Sequence, residues 1–131
     1  MRKDIKVPKV SGVFMAVIHE YNDIYRTYDW NAYIINENES DLELVLILTE
    51  GYSGETRTST LRKKIDVLPA NGYAKIEMIP EELHQLNNQF KVTFYQGNQL
   101  YDKTYLFRKN TINERALQQV PLINKKGVVV R

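Results

Sequence analysis

Cysteine is absent from this sequence, and only two histidines are present among its 131 residues. Without cysteine the chain can form no disulfide, no thiolate zinc site and no cysteine nucleophile. A metal site built from histidine needs two or three ligands that converge, whereas His19 and His84 lie in separate predicted elements. We therefore expect no metal site in this protein.

Glycine motifs for phosphate or dinucleotide binding are also missing. The segment Gly51-Tyr52-Ser53-Gly54 differs from a hydrolase nucleophile turn, because Glu55 occupies the last motif position and a strand is predicted to follow. The paired carboxylates Glu81-Glu82 lie at a predicted helix start, where they interact favourably with the helix dipole. The sequence therefore predicts a non-catalytic protein that binds no cofactor.

Long apolar stretches are a third absence. No apolar run approaches the roughly 20 residues of a membrane-spanning helix. The opening residues MRKDIKVPKV lack the apolar region of a signal peptide, and we predict that residues 1–9 form a loose lead-in. Together with the absence of cysteine, these features favour a cytoplasmic protein without a membrane segment.

Residues that favour β-strands are abundant, and nine tyrosines are among them. The clearest element is the stretch 90–107, in which two strand-forming runs flank a turn at Gly97-Asn98. This dipeptide favours a tight hairpin, because glycine adopts a positive φ without steric cost. Phe90, Val92 and Phe94 alternate with more polar residues, so we predict that these three side chains point into the core.

Further strand-forming runs are separated by turn residues and show no βαβ alternation. We predict strands at 10–19, 30–36, 42–49, 56–68 and 73–79, a loop at 20–29 and a short helix near 80–86. This pattern is typical of a single antiparallel, immunoglobulin-like β-sandwich of about seven strands, with its core strands within residues 10–107. Trp30, at the head of the second strand, is predicted to be buried.

The C-terminal segment 110–131 is too apolar to be a disordered arm. Asn110 or Thr111 can cap a short helix, which we predict to continue through residue 119 and to end before Pro121. A last short strand is predicted at 128–130. We expect this segment to pack on the sandwich and to end at the edge of a sheet.

The third strand carries apolar residues at successive positions. Its leucines can form one face: Leu42, Leu44, Leu46 and Leu48. Val45 and Ile47 then fall on a second apolar face, which a soluble monomer rarely leaves exposed. We predict that segment 110–131 covers this second face.

Tyr21, Tyr25 and Tyr28 lie in the predicted loop 20–29 among interspersed carboxylates. Flat aromatic side chains provide contact area at a small entropic cost. We predict that these tyrosines, together with Val45 and Ile47, form an interaction surface. The sequence therefore favours a protein-interaction module that binds a protein partner or a second copy of itself.

The charge distribution supports an alternative hypothesis. Residues 1–60 carry a net charge of −4 and residues 61–131 a net charge of +6. One strand mixes aromatic and basic residues: Tyr101, Lys103, Tyr105 and Phe107. Oligonucleotide-binding barrels stack bases on such aromatics, but alternating aromatics are more often core residues. Binding of single-stranded nucleic acid by a small barrel is therefore the second hypothesis.

Three stretches carry a family resemblance: DWNAYIIN at 29–36, KTYLFRKNTINERAL at 103–117 and PLINKKGVVV at 121–130. They resemble a family of short, uncharacterised bacterial proteins of about this length, some of which are labelled phenylalanyl-tRNA synthetase alpha subunit. The chain is far too short for a class II synthetase core and contains no recognisable ATP-binding motif, so that label receives no support. The resemblance implies no site residues.

Overall fold

The structure is a computed structural model that describes residues 8–131. Most of the predicted lead-in at 1–9 therefore lies outside the described residues. The described part contains ten strands: β1 (Val13–Asn22), β2 (Thr27–Asn36), β3 (Leu42–Ser53), β4 (Thr56–Arg57), β5 (Leu61–Leu68), β6 (Gly72–Met78), β7 (Asn87–Gln96), β8 (Gln99–Phe107), β9 (Gln118–Gln119) and β10 (Lys126–Val130). Two 3₁₀ turns lie between strands: Glu81–Gln85 between β6 and β7, and Glu114–Ala116 between β8 and β9.

Two antiparallel sheets contain these strands. Sheet 1 has the order β6-β2-β1-β10-β9, and sheet 2 has the order β4-β3-β7-β8, with β5 also paired to β3. The buried apolar side chains of both sheets form one core. The predicted all-β sandwich is therefore confirmed, and the seven strands within 13–107 that exceed two residues match the predicted number.

The predicted β7–β8 hairpin is confirmed. Phe90, Val92 and Phe94 are each 1% exposed, and Gln96 pairs with Gln99 across a turn at Gly97-Asn98. The positive φ of 64° falls on Gly97, where the missing Cβ removes the steric cost. Local alternation and turn chemistry were sufficient to predict this element.

The predicted loop at 20–29 is wrong, because β1 and β2 continue through it as a second hairpin. Their pairing is continuous, from Val13 opposite Asn36 to Asn22 opposite Thr27. Only the four residues between Asn22 and Thr27 therefore form the turn. Arg26 in this turn has a φ of 56°. Cross-strand pairing stabilises this polar and aromatic segment, which the period-two analysis did not recognise.

The predicted directions of the β3 side chains are also wrong. Leu44 has a φ of 50°, and the pairing of β3 with β7 is irregular between Glu43 and Leu46. This bulge shifts the alternation, since one extra residue reverses the faces of all that follow. Val45 and Ile47 are consequently fully buried in the core, and their prediction as part of an interaction surface is wrong.

The C-terminal segment joins sheet 1 instead of lying across a sheet face. The predicted strand is present as β10. It pairs with β1, from Met15 opposite Val130 to Ile18 opposite Gly127. The predicted helix is absent from the described residues 110–119, where the 3₁₀ turn Glu114–Ala116, capped by the Asn113 side chain, and the two-residue strand β9 form instead. A short isolated helix forms few hydrogen bonds to offset the cost of its nucleation, and Gln118 and Gln119 pair with β10 instead.

Two further predictions need smaller corrections. The strand predicted at 56–68 is interrupted at 58–60 and appears as β4 and β5, and the helix predicted near 80–86 is the 3₁₀ turn Glu81–Gln85.

The two sheets are joined by a buried hydrogen bond, in which the Tyr105 hydroxyl donates to the Val13 carbonyl oxygen at 2.6 Å. No helix within the described residues is long and apolar enough to cross a membrane.

Candidate functional site

The β1–β2 turn and the strand ends beside it, residues 21–28, form what we call the hairpin tip. Tyr21, Tyr25 and Tyr28 are 50%, 76% and 66% exposed, and Ile24, which the sequence analysis did not select, is 83% exposed. Trp30 is buried, as predicted. The structure therefore brings three of the five predicted surface residues together, and it places Val45 and Ile47 elsewhere, in the core.

Side chains at the strand ends hold the tip in one conformation. The Asn22 side-chain oxygen accepts hydrogen bonds from the backbone N–H groups of Ile24 and Tyr25 at 2.9 and 3.2 Å. Asp29 accepts from the Asn22 amide and the Thr27 hydroxyl, each at 2.9 Å. These two bonds hold the pKa of the Asp29 carboxyl below its usual value. These hydrogen bonds therefore favour the observed conformation of the turn.

Aromatic contacts connect the tip to the core. Tyr21 and Tyr28 pack edge to face with ring centroids 5.2 Å apart, and Tyr28 lies 5.4 Å from His19. His19 stacks on Trp30 with ring centroids 4.1 Å apart, and the His84 and Trp30 rings pack edge to face with centroids 5.7 Å apart. Both histidines thus support the aromatic base of the tip. These contacts give a structural role to two histidines that are distant in the sequence.

The strand proposed to stack nucleic-acid bases turns its rings inward. Tyr105 and Phe107 are each 1% exposed, and Tyr101 stacks on Phe94 with 5.3 Å between ring centroids. Lys103 packs its ammonium over the Tyr105 ring at 5.2 Å. These rings serve the core, so the sheet lacks the exposed aromatic platform on which the nucleic-acid hypothesis depended.

A polar cluster lies on the outer face of sheet 1. Glu20 accepts hydrogen bonds from Lys125 at 2.5 Å, from the Tyr33 hydroxyl at 2.6 Å and from the Asn31 amide at 2.7 Å. Burial alone would raise the pKa of Glu20, but these three hydrogen bonds lower it below its usual value. The Asn31 oxygen itself is buried and has no partner among the described residues.

A different carboxylate points between the sheets. Ala32 pairs with Glu77 and Tyr33 pairs with Lys75, so Ile76 is an extra residue that bulges β6. The bulge turns Glu77 inward, where its Oε1 atom accepts a hydrogen bond from the Thr49 hydroxyl of sheet 2 at 3.1 Å. Burial raises the pKa of Glu77 above its usual value, and the bond from Thr49 only partly opposes this effect.

Glu77 lies in a cleft of about 290 Å³ at the rim of the sandwich, which we call the Glu77 cleft. Its lining combines apolar with polar side chains and includes Thr49, Thr58, Ser59, Leu61, Leu83 and Gln89. Met78 lines this cleft and also the shallow groove that leads to Tyr28 at the hairpin tip. The cleft and the tip therefore open at the same end of the sandwich.

Sequence analysis found the tip but missed the Glu77 cleft. Simple alternation places Glu77 on the same face as Lys75, and only the one-residue bulge at Ile76 reverses this direction. A glutamate beside the apolar residues Ile76 and Met78 is an ordinary pattern for an edge strand, so no local signal distinguished it.

Comparisons with protein-family models, with curated proteins and with solved structures find no match to this chain.

Proposed function

We propose that this chain is a non-catalytic, cytoplasmic protein-interaction module that contacts its partner through the hairpin tip. The observation that carries the proposal is the concentration of large exposed side chains there: Tyr21, Ile24, Tyr25 and Tyr28 are all at least half exposed. Exposed apolar and aromatic groups that cluster at one place are typical of protein-binding surfaces.

The order of the tip favours binding as well. The side-chain bonds of Asn22 and Asp29 hold the turn in one conformation before any partner arrives. A preorganised surface loses less conformational entropy when it binds, and tyrosine adds contact area with few rotatable bonds. The tip thus combines two properties that characterise antibody-like binding loops.

The experiment selects partners from a random peptide library displayed on phage. The immobilised native protein captures peptides without counter-selection, and the affinity of each selected peptide is then measured for the native chain and for the triple variant Ile24→Ser/Tyr25→Ser/Tyr28→Ser. We expect selected peptides to bind the native chain and to bind the triple variant at least about 10-fold more weakly, a loss of about 1.4 kcal/mol. Sedimentation analysis of both proteins tests whether the partner is a second copy of the chain.

A matched control removes exposed apolar groups elsewhere. Leu44 and Leu100 are 54% and 47% exposed on sheet 2, away from the tip. The double variant Leu44→Ser/Leu100→Ser should retain peptide binding within about 3-fold of the native chain. If selected peptides bind the tip variant as well as the native chain, or if no peptide or second copy binds at all, the proposal is wrong.

A further inference from the structure

Glu77 occupies a position where an apolar residue would ordinarily lie. Its strand partner Ala32 is fully buried, and the Glu77 carboxylate reaches Thr49 of the opposite sheet. Bulges of this kind are found beside binding and catalytic sites, where they redirect one side chain. Placing a carboxylate between sheets also opposes folding unless it is paired, so the bulge directs a costly group into the cleft.

The carboxylate has an unused binding capacity. Oε1 accepts the single bond from Thr49, whereas Oε2 has no hydrogen-bond partner within residues 8–131. None of the ion pairs formed among these residues includes Glu77. Arg57, which precedes the cleft residue Thr58 in the sequence, does not neutralise it, because its guanidinium pairs with Glu50 at 3.2 Å and lies over the Tyr52 ring at 5.3 Å.

The rest of the cleft fits an aliphatic chain that ends in a cation. Leu61 and Leu83 provide apolar walls, and Ser59 and Gln89 add polar groups whose side chains form no hydrogen bonds among the described residues. An alkylammonium has an apolar stem and three N–H donors on a compact charge. It can therefore pack on the leucines while its ammonium pairs with Glu77.

We infer that the Glu77 cleft is a binding site for a primary alkylammonium group, with Glu77 as the counter-ion. Two sources offer this chemistry, a free alkylamine and the lysine side chain of a peptide. The site is independent of the partner proposed for the hairpin tip, because its evidence is the bulge, the cleft and the unpaired carboxylate. The two sites share only their position at one end of the sandwich.

NMR titration tests this inference on the full chain. The probes are n-pentylammonium chloride for the free amine and Nα-acetyl-lysine-N′-methylamide for the peptide side chain, with 1-pentanol as the neutral control. We expect saturable shifts of the Gly51 and Met78 amide resonances with one or both ammonium probes. Gly127, on β10, should not shift, and pentanol should bind at least about 10-fold more weakly, as expected from the loss of an ionic contact.

Two variants decide whether Glu77 is responsible. Glu77→Gln keeps the shape of the side chain and should weaken ammonium binding at least about 10-fold, whereas Glu50→Gln changes a second carboxylate of the same cleft and should alter it less than about 3-fold. Equal binding by the native and Glu77→Gln chains would overturn the inference. Absence of saturable shifts with both ammonium probes would overturn it too, and neither result bears on peptide capture by the tip.

Discussion

Glu20 and Glu77 lie in the same sheet, yet their surroundings differ in almost every respect. Glu20 lies on the outer face with its side chain 11% exposed, and it accepts hydrogen bonds from Lys125, Tyr33 and Asn31. Glu77 lies between the sheets and receives one bond, from Thr49. The pKa of Glu20 is consequently lowered despite burial, and burial raises the pKa of Glu77.

This difference separates a structural carboxylate from a candidate binding group. Lys125 lies 105 residues from Glu20 in the sequence, so only the folded sandwich supplies this cation. A carboxylate with complete pairing stabilises the fold around it, whereas a partly buried carboxylate with a single hydrogen bond loses solvation that its partner does not fully replace. Carboxylates whose pKa is raised by burial are for this reason frequent at functional sites.

Removal of residues 119–131 should have the largest effect on stability. It deletes β10 and also Lys125, the partner of Glu20. Val128 and Ile123 would leave the core, and the paired edge of β1 would be exposed. We expect aggregation and loss of a cooperative thermal transition, measured by calorimetry and light scattering. A truncated chain that remains soluble, monomeric and as heat-stable as the full chain would show that the segment is an independent arm.

Glu20→Ala should have the next largest effect. It removes the acceptor shared by Lys125, Tyr33 and Asn31. Asn31 is buried, and an unpaired buried polar group costs about 1–3 kcal/mol. Urea denaturation at neutral pH should show a loss of this size. The control Glu39→Ala, at an exposed turn residue, should change the unfolding free energy by less than about 0.5 kcal/mol. Equal effects of the two substitutions would contradict the structural role of Glu20.

Glu77→Gln should act in the opposite direction and raise Tm by a few degrees at neutral pH. Because the pKa of Glu77 is raised by folding, the folded state holds the proton more tightly, and stability falls as pH rises from the unfolded pKa through the folded one. The gain should therefore be small below the unfolded pKa of about 4.3 and largest above the folded pKa.

The same pH series distinguishes the two carboxylates. The contribution of Glu20 should be present above its unfolded pKa and disappear as pH falls through its lowered folded pKa. Thermal melts of the native chain and both variants across this range provide the measurement. A Glu77→Gln chain that is less stable than the native chain at neutral pH would show that Glu77 is paired after all.

Thr49→Val should have the smallest effect of the series. It removes the one hydrogen bond to Glu77, which lowers the pKa of that carboxyl, so the pKa of Glu77 should rise further. NMR titration of the Glu77 side-chain carbonyl would measure this shift, with Thr104→Val on β8 as the control. The stability change should be about 1 kcal/mol or less. An unchanged Glu77 pKa would mean that Thr49 does not contact the carboxylate in solution.

Local sequence features were sufficient for much of the fold and for the exposure of the tip tyrosines, although not for the hairpin that carries them. Phe90, Val92 and Phe94 alternate around the Gly97-Asn98 turn, and both strand propensity and turn geometry act over a few residues. The exposure of Tyr25 followed from its polar surroundings. These features are encoded within short segments, so a single sequence is enough to predict them.

The directions of Val45 and Glu77 could be determined only by the tertiary structure. Each depends on a single irregular residue, Leu44 or Ile76, that reverses the faces of its strand. Such a bulge is selected by packing between the two sheets, and that packing energy does not exist within any one strand. The pairing of Glu20 with Lys125 has the same origin, because β10 brings the lysine to β1 only when the sandwich closes.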